Sequence, residues 1–467
     1  MDQKRVLYIM LAVLGIVLCL QQAWVEGFFA DGYLYAVYGK NAAFKGKWLV
    51  PHLNEALYPE FDHHTPFLFI IEGLFFKLFG ASFVSARIFA SIFYLGTGLF
   101  LFRFLKEKTK ITPYFPIFLF LTIPPLFKKV RFPNLDIALM LTFFLAFVFY
   151  QVQLKSNEKK YYYLAGLMFG FSMLIKGPVA LLIPIAVVID LLIQKRLDYL
   201  KSPHAWLGLI LGFMIFSFWP LSLFLGGKFY IFEQWFNFTF LHTIRDARGT
   251  GEPFYTYFLF LLRNAPLWFL LGLIGLKSMK KSPVLGSASV FFLTILIFFS
   301  IPKFKYSNYL IPMYPFMAIV GGNFLEEVLG ENAKRKIQKF LSFLIPVSAL
   351  CLLIFPLTTK IRRDPEIFVI KKALKERELF PKKWTIVANG YPFYALAALN
   401  EWIDGSLTYQ KANPEVNNCS DCVFLVKNET LLKFKNLNPS FKAFAVLKNY
   451  GTTLMVPKDY LSKVLKL

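Results

Sequence analysis

Residues 135–178 read LDIALMLTFFLAFVFYQVQL, then KSNEKK, then YYYLAGLMFGFSMLI, then KGP. After Asp136, no charge appears before Lys155, and none between Tyr161 and Ile175. A hydrocarbon core takes roughly 20 apolar residues of helix. Two such runs joined by a basic turn predict a membrane hairpin. Lys176-Gly177-Pro178 then stops the second run, and Pro178–Ile193 makes a further apolar arm.

Outward from this stretch the same pattern repeats. Val6–Trp24, Phe83–Phe104, Pro113–Phe127, Trp206–Leu225, Phe254–Leu276, Val284–Ile301, Tyr306–Phe324 and Phe340–Leu357 are all apolar, two of the runs being short and flanked by proline. The expectation is an α-helical integral membrane protein with about eleven transmembrane helices. Composition agrees: the 467 residues are 57% hydrophobic and 17% charged, more apolar surface than one soluble core can hide. Lys4 and Arg5 precede the first run as in a signal peptide, but no small-residue cleavage site follows, so an uncleaved first helix is expected.

Charge sets the topology. Lys106, Lys108 and Lys110, then Lys155, Lys159 and Lys160, then Lys195, Arg196 and Lys201, then Lys277, Lys280 and Lys281, then Lys334, Arg335, Lys336 and Lys339 fall in alternate loops, on the side of Lys4 and Arg5. Positive loops stay cytoplasmic, so the remaining loops and the region after the last run are expected outside. The net charge of +24 follows from these loops and from the phosphate chemistry below; no basic groove or aromatic RNA motif supports nucleic acid.

The outer loops differ in character. Val25–Ser82 is too long for a connector and contains two moderately amphipathic stretches, Gly32–Gly46 and Phe67–Phe79, suited to the membrane surface. Lys128–Asn134, Gly226–Pro253 and Pro302–Lys305 complete the outer set. From Thr358 the composition changes: Ile361-Arg362-Arg363-Asp364-Pro365 reads as a linker, and Trp384–Ala388 and Cys422–Lys427 read as strands. The expected domains are 1–357, the transmembrane part, and 358–467, a small extracytoplasmic α/β domain. No internal repeat is visible.

Candidate chemistry gathers on the outer face: Asp31, Asp62-His63-His64-Thr65-Pro66, Asp136, Lys176, Glu233, His242, Arg245, Lys305 and Tyr309. Carboxylates with histidines can hold a divalent cation such as Zn, Mg or Mn. Lys, Arg and Tyr can grip a phosphate. Singly, each has an ordinary reading. His63-His64 suits a polar loop, Asp136 a helix N-terminus, Lys176 a snorkelling cation, and His242 with Arg245 an amphipathic surface. Their convergence on one face describes a site for a lipid-phosphate donor. A transporter or lipid flippase is the alternative, but it calls for midplane charges and repeats. A structural scaffold with an outer binding domain is a third reading. Cys19 and Cys351 lie in apolar runs as core thiols; Cys419 and Cys422 suit a local disulfide outside the cytoplasm, with free thiols, a redox pair or a zinc site as alternatives.

The order of motifs resembles the aminoarabinose transferases and protein O-mannosyltransferases. Asp31…Tyr35-Ala36…Gly46-Lys47-Trp48-Leu49-Val50-Pro51, Leu78-Phe79-Gly80 with Arg87, Leu135-Asp136, Met173–Pro178, His242-Thr243-Ile244-Arg245 and Lys305-Tyr306-Ser307-Asn308-Tyr309-Leu310-Ile311-Pro312 are collinear with that family over about Met1–Gly322. The resemblance implies a GT-C membrane glycosyltransferase. Such an enzyme takes a sugar from a polyprenyl-phosphate carrier on the outer face of the inner membrane and passes it, with inversion, to a lipid, protein or glycan. It implies Asp31 as the residue that positions or deprotonates the acceptor, with Asp136 second. It implies Lys176, Arg245, Lys305 and Tyr309 on the donor phosphate, and His242 as a metal ligand with the first-loop motif. Two departures stand out: Asp31-Gly32 replaces Asp-Glu, and Asp62–Pro66 replaces Glu-Lys-Pro. His63 or Asp62 then takes the place of the Glu, and His64 that of the Lys. Histidine holds phosphate less firmly at neutral pH, which leaves aminoarabinose itself in question.

Overall fold

The computed structural model describes residues 3–21, 23–25, 27–28, 30–55, 57–244, 251–354, 385–388, 398, 401–402, 408–411, 422–427, 432, 435–436, 441–447 and 452–457. Helices come first along the chain. α1 (Gln3–Leu20) precedes α2 (Ala30–Lys45) and α3 (Phe67–Phe79), which match the two amphipathic stretches of the segment Val25–Ser82. α4 (Phe83–Lys108), α5 (Tyr114–Thr122), α6 (Pro124–Lys129), α7 (Leu135–Ser156), α8 (Lys160–Lys176) and α9 (Leu182–Ile193) follow. Next come α10 (Asp198–Lys201), α11 (Pro203–Leu225), α12 (Phe229–Ile244), α13 (Thr256–Asn264), α14 (Pro266–Gly275), α15 (Pro283–Ser300), α16 (Tyr314–Val328) and α17 (Glu331–Ile354).

Each of the eleven apolar runs contains helix, but they are not eleven uniform rods. Among the described residues, six helical stretches are long and apolar enough to cross a membrane, and seven if α13 and α14 form one bent span. Proline explains the breaks, because it lacks the N–H a continuing helix needs. Pro124 separates α5 from α6, and Pro266 opens α14 after a bend of 117°. Pro312 sits inside the tight 3-10 turn Ser307–Met313 that leads into α16. The segment Gly226–Pro253, expected as an outer loop, contains the 16-residue helix α12. Phe229, Phe232, Trp235 and Phe236 recur there at helical spacing, and Phe232 meets each of the other three rings at 5.4–6.4 Å.

One continuous apolar stretch, Lys160–Ile193, is 34 residues long. As a straight helix it would extend about 51 Å, well beyond a hydrocarbon core of about 30 Å. Its partners show that it folds back instead. Ser172 Oγ donates to Thr142 Oγ1 at 2.7 Å and Lys176 reaches Asp136, so α8 runs antiparallel to α7. Tyr150 Oη then donates to Asp190 Oδ2 at 2.7 Å and Arg196 to Leu154 O at 3.0 Å, so α9 runs back alongside α7. The chain therefore reverses at Lys176-Gly177, as the sequence predicts for that break.

α8 also lies against α11 at backbone contact. Gly166 and Gly170 face Gly208 and Gly212, and a Cβ on Gly166 would sit 1.9 Å from Gly208 O. Small residues four apart let two membrane helices approach without side chains between them. Elsewhere the core is aromatic: Phe104, Phe144, Phe147, Phe291 and Phe316 join α4, α7, α15 and α16 at ring separations of 5.1–6.4 Å. Cys19 is buried as expected, whereas Cys351 is exposed on α17, most of whose apolar length is not buried by the other described residues.

Five strands follow: β1 (Thr385–Ala388), β2 (Thr408–Lys411), β3 (Cys422–Lys427), β4 (Phe441–Leu447) and β5 (Thr452–Pro457). They form one mixed sheet in the order β2-β1-β3-β5-β4. β1 pairs in parallel with β2 and β3, while β5 pairs antiparallel with β3 and β4. β1 and β3 coincide with the two runs read as strands. Cys422 opens β3; Cys419 and the linker 361–365 lie outside the described residues. The chain divides into two compact units. One comprises Met1–Ala23, Asp62–Leu68 and Arg87–Leu357; the other comprises Trp24–Phe61, Phe69–Ala86 and Thr358–Leu467.

Candidate functional site

The first unit carries the reversal between α8 and α9. Asn134 caps α7: its side-chain oxygen accepts from the Asp136 backbone N–H at 2.7 Å. That cap fixes Asp136 in the first turn, 6% exposed. Lys176 is the last residue of α8 and donates from Nζ to Asp136 Oδ1, forming an ion pair. The two carry α7 and α8 across a 40-residue separation. Both sit at helix ends, not mid-helix, which argues against the transporter reading.

Backbone geometry places Lys176. Gly177 adopts φ +59°, a left-handed conformation open to glycine at no steric cost. A Cβ at Gly177 would also lie 2.4 Å from the Trp235 ring of α12. Glycine is required there twice over, once for the turn and once for the tryptophan. The Lys176 ammonium lies 4.5 Å from the centre of the Tyr309 ring, within cation–π range. Tyr309 is itself stacked on Phe299 at 5.2 Å.

The Asp62–Pro66 stretch reaches this region. Thr65 Oγ1 donates to Leu174 O, two residues before Lys176. His64 is held neutral: desolvation, then the Lys176 charge and His63, lower its pKa to about 3. It therefore offers a neutral imidazole and no positive charge. His63 lies flat on Phe238 of α12, with ring centres 3.9 Å apart and planes at 5°. Its Nε2 is 3.5 Å from Asp62 Oδ1. Among the described residues no group of three His, Cys, Asp or Glu comes together to hold a metal. Asp62 and His63 supply two donors. His242 follows Phe238 by one helical turn on α12, though its side chain, like the whole of Arg245, lies outside the described residues.

Lys305 is tied into the fold. Its ammonium donates to Ser300 O at 2.8 Å and to Pro302 O, closing the C-terminus of α15, and it lies 5.6 Å from the Tyr257 ring. A lysine on the last carbonyls of a helix is favourable in its own right. Tyr257, Trp235 and Phe238 belong to the site's frame and carry no motif. The available signal is the spacing Trp235, Phe238, His242 on one helix.

In the second unit, Asp31 stands in the first turn of α2, half-buried. A carboxylate there is favoured by the helix dipole. Glu72 on α3 is 2% exposed and packs against Gly39 of α2.

Comparison with known proteins agrees with this architecture. Residues 63–220 match the family model described as dolichyl-phosphate-mannose-protein mannosyltransferase. An undecaprenyl phosphate-alpha-4-amino-4-deoxy-L-arabinose arabinosyl transferase of Shewanella sediminis is 27% identical over 62% of the chain, which spans 54% of that relative. ArnT from Cupriavidus metallidurans, solved in the apo state and bound to undecaprenyl phosphate, superposes with TM-scores of 0.74 and 0.72. It is 14% identical, with 96% of this chain and 97% of that one covered. An Archaeoglobus fulgidus oligosaccharyltransferase superposes at 0.61 with 10% identity, over 92% and 70% of the two chains. These likenesses bear out the resemblance carried by the ordered motifs.

Proposed function

We propose that this chain, a GT-C glycosyltransferase of the aminoarabinose-transferase and protein-O-mannosyltransferase type, moves a sugar from a polyprenyl-phosphate carrier to a hydroxyl of a lipid, protein or glycan. The reaction takes place on the extracytoplasmic face of the inner membrane. The observation that carries this reading is the Lys176–Asp136 pair, presented by a glycine reversal at the ends of two packed helices.

The acceptor oxygen attacks the anomeric carbon opposite the phosphate. The bond from that carbon to the phosphate oxygen breaks, its electron pair leaves with the carrier phosphate, and the configuration inverts. The acceptor proton passes to the Asp31 carboxylate, with Asp136 as second choice. Lys176 stabilises the departing phosphate. Its ammonium has three donors; Asp136 takes one, and the others are assigned to phosphate oxygens. Tyr309 and Arg245 complete the phosphate grip, with Lys305 nearby and His64 as a neutral hydrogen-bonding partner. Preorganised charge of this kind acts strongly where water is excluded. The binding of undecaprenyl phosphate by the neighbouring ArnT supports a polyprenyl-phosphate donor. A divalent cation is assigned to Asp62, His63 and His242, where it would add positive charge beside the leaving phosphate.

The test uses the purified full chain in lipid nanodiscs with a panel of undecaprenyl-phosphate sugars: aminoarabinose, mannose and glucose. Acceptors are drawn from lipid, peptide and glycan fractions, and transfer is read by mass shift. Transfer by the wild type and its loss in Asp31→Asn and Lys176→Ala are expected. Full activity in both variants would overturn the site. Mass spectrometry of envelope lipids, glycans and proteins from cells with and without the gene identifies sugar and acceptor together.

A further inference from the structure

The second unit joins sequence-distant segments in a way the proposed chemistry does not use. Lys40, on the third turn of α2, is buried, and its ammonium donates to Glu401 O at 2.9 Å and Trp402 O at 2.8 Å. Lys45, at the end of the same helix, pairs with the Glu401 carboxylate at 2.6 Å. The Trp402 ring, 7% exposed, closes an aromatic box with Phe28, Phe76 and Phe83 at 5.7–5.8 Å. Phe28 is completely buried and also meets Tyr33 at 5.5 Å and Phe83 at 4.9 Å.

Asp31 lies between these contacts. Phe28 is three residues before it and Lys40 nine residues after, roughly 13 Å along a helix. Residues 401–402 grip both. Lys40 fixes α2 along its axis through two charge-assisted bonds, and Trp402 fixes the chain entering α2 through Phe28. A helix held at both flanks of one carboxylate holds that carboxylate in place.

We propose that the C-terminal region positions Asp31 through Trp402 and Glu401, so that Trp402 is a positioning residue for the acceptor side of the reaction. This rests on Asp31 as the acceptor's base. The C-terminal region thereby gains a role that no motif in it announces. Because α2 and residues 401–402 touch, they share one side of the membrane, and the chain between them crosses an even number of times, as ten spans would.

The experiment compares full-chain wild type, Trp402→Ala, Trp402→Phe and Lys40→Met in nanodiscs. Hydrogen exchange of the peptide covering residues 27–36 is the first readout and needs no substrate. Trp402→Ala and Lys40→Met are expected to raise exchange there at least tenfold, since local openings then cost less (about 1.4 kcal/mol per tenfold). Trp402→Phe should restore protection. Unchanged exchange in Trp402→Ala and Lys40→Met overturns the proposal whatever the activity. The second readout is turnover of the undecaprenyl-phosphate sugar panel. Trp402→Ala should lower kcat by about 10–100-fold, as small misplacements do. The donor KM and the affinity for undecaprenyl phosphate should stay within about twofold of wild type, as one local misplacement predicts. A matching loss of donor affinity would mark general damage and also overturn it. Lys176→Ala separates the two readings. If it remains active, the proposed phosphate site fails. If it is dead while Trp402→Ala keeps wild-type kcat, only the positioning role fails.

Discussion

Two acidic clusters sit at opposite ends of α7, and they are built differently. At one end, Asp136 meets the ammonium of Lys176, beneath an aromatic ring and beside a neutral histidine. At the other, Asp190 of α9 is completely buried, and among the described residues its hydrogen-bond donors are neutral. Tyr150 and Ser287 donate to one oxygen at 2.7 and 2.6 Å, and Gln194 donates to the other at 2.7 Å. Gln194 and Gln151 in turn donate to Ser287 Oγ at 2.7 and 2.8 Å. The Asp190 cluster is saturated: each group has its partner within the fold, and three helices are pinned together. In the Asp136 cluster, among the described residues, the Lys176 ammonium donates one hydrogen bond and has two N–H donors to spare. Saturation marks a structural tie, and spare donors on a paired ammonium mark a place for an anionic ligand.

The comparison can be broken in several ways. The largest effect is expected at the charged end: Lys176→Met should lower transfer by about 10²–10³-fold, the scale for losing one preorganised donor. The same change should weaken undecaprenyl phosphate binding, measured by direct titration. An Asp190 variant that lost as much turnover per folded molecule would erase the distinction. At the neutral end, Asp190→Ala should instead cost stability, about 2–3 kcal/mol for stranded buried donors, read as a lower melting midpoint in detergent. Its turnover per folded molecule should stay within about twofold of wild type if the tie is purely structural.

A smaller effect tests how the charge is aimed. Gly177→Ala forces a side chain into positive φ and against Trp235. About a tenfold loss of kcat is expected from a shifted Lys176. Wild-type kinetics in that variant would show that the reversal does not place the ammonium. The smallest effect concerns metal. Treatment with EDTA should slow transfer several-fold, restored by a divalent ion, and His63→Ala should abolish the sensitivity. No response in either protein would remove the cation from the assignment.

Much of this was legible along the chain. Every apolar run contains helix, because a segment in lipid must satisfy its own backbone and stay apolar throughout. Lys176-Gly177-Pro178 announced a break, and α2 and α3 match their amphipathic stretches within two residues. The partners were less legible. Asp190 sits in an apolar run with no motif, and its network joins residues 40 and 97 positions away. α12 was hidden inside a segment read as loop, since its aromatic stripe also suits an interfacial strap. Nothing along the chain announced the two carbonyls, of Ser300 and Pro302, to which Lys305 donates at the end of α15.

The sequence by itself determined a multi-pass helical membrane protein, the breaks in its helices, and the order of motifs that carries the family resemblance. These are local properties: hydropathy, charge and proline act over a few residues. Only the tertiary structure decided which charge meets which. It brought Lys176 to Asp136, kept His64 neutral beside them, and set Trp402 against Phe28 across more than 370 residues. Pairing and desolvation depend on what packs around a group, and packing brings together residues that the linear chain keeps far apart.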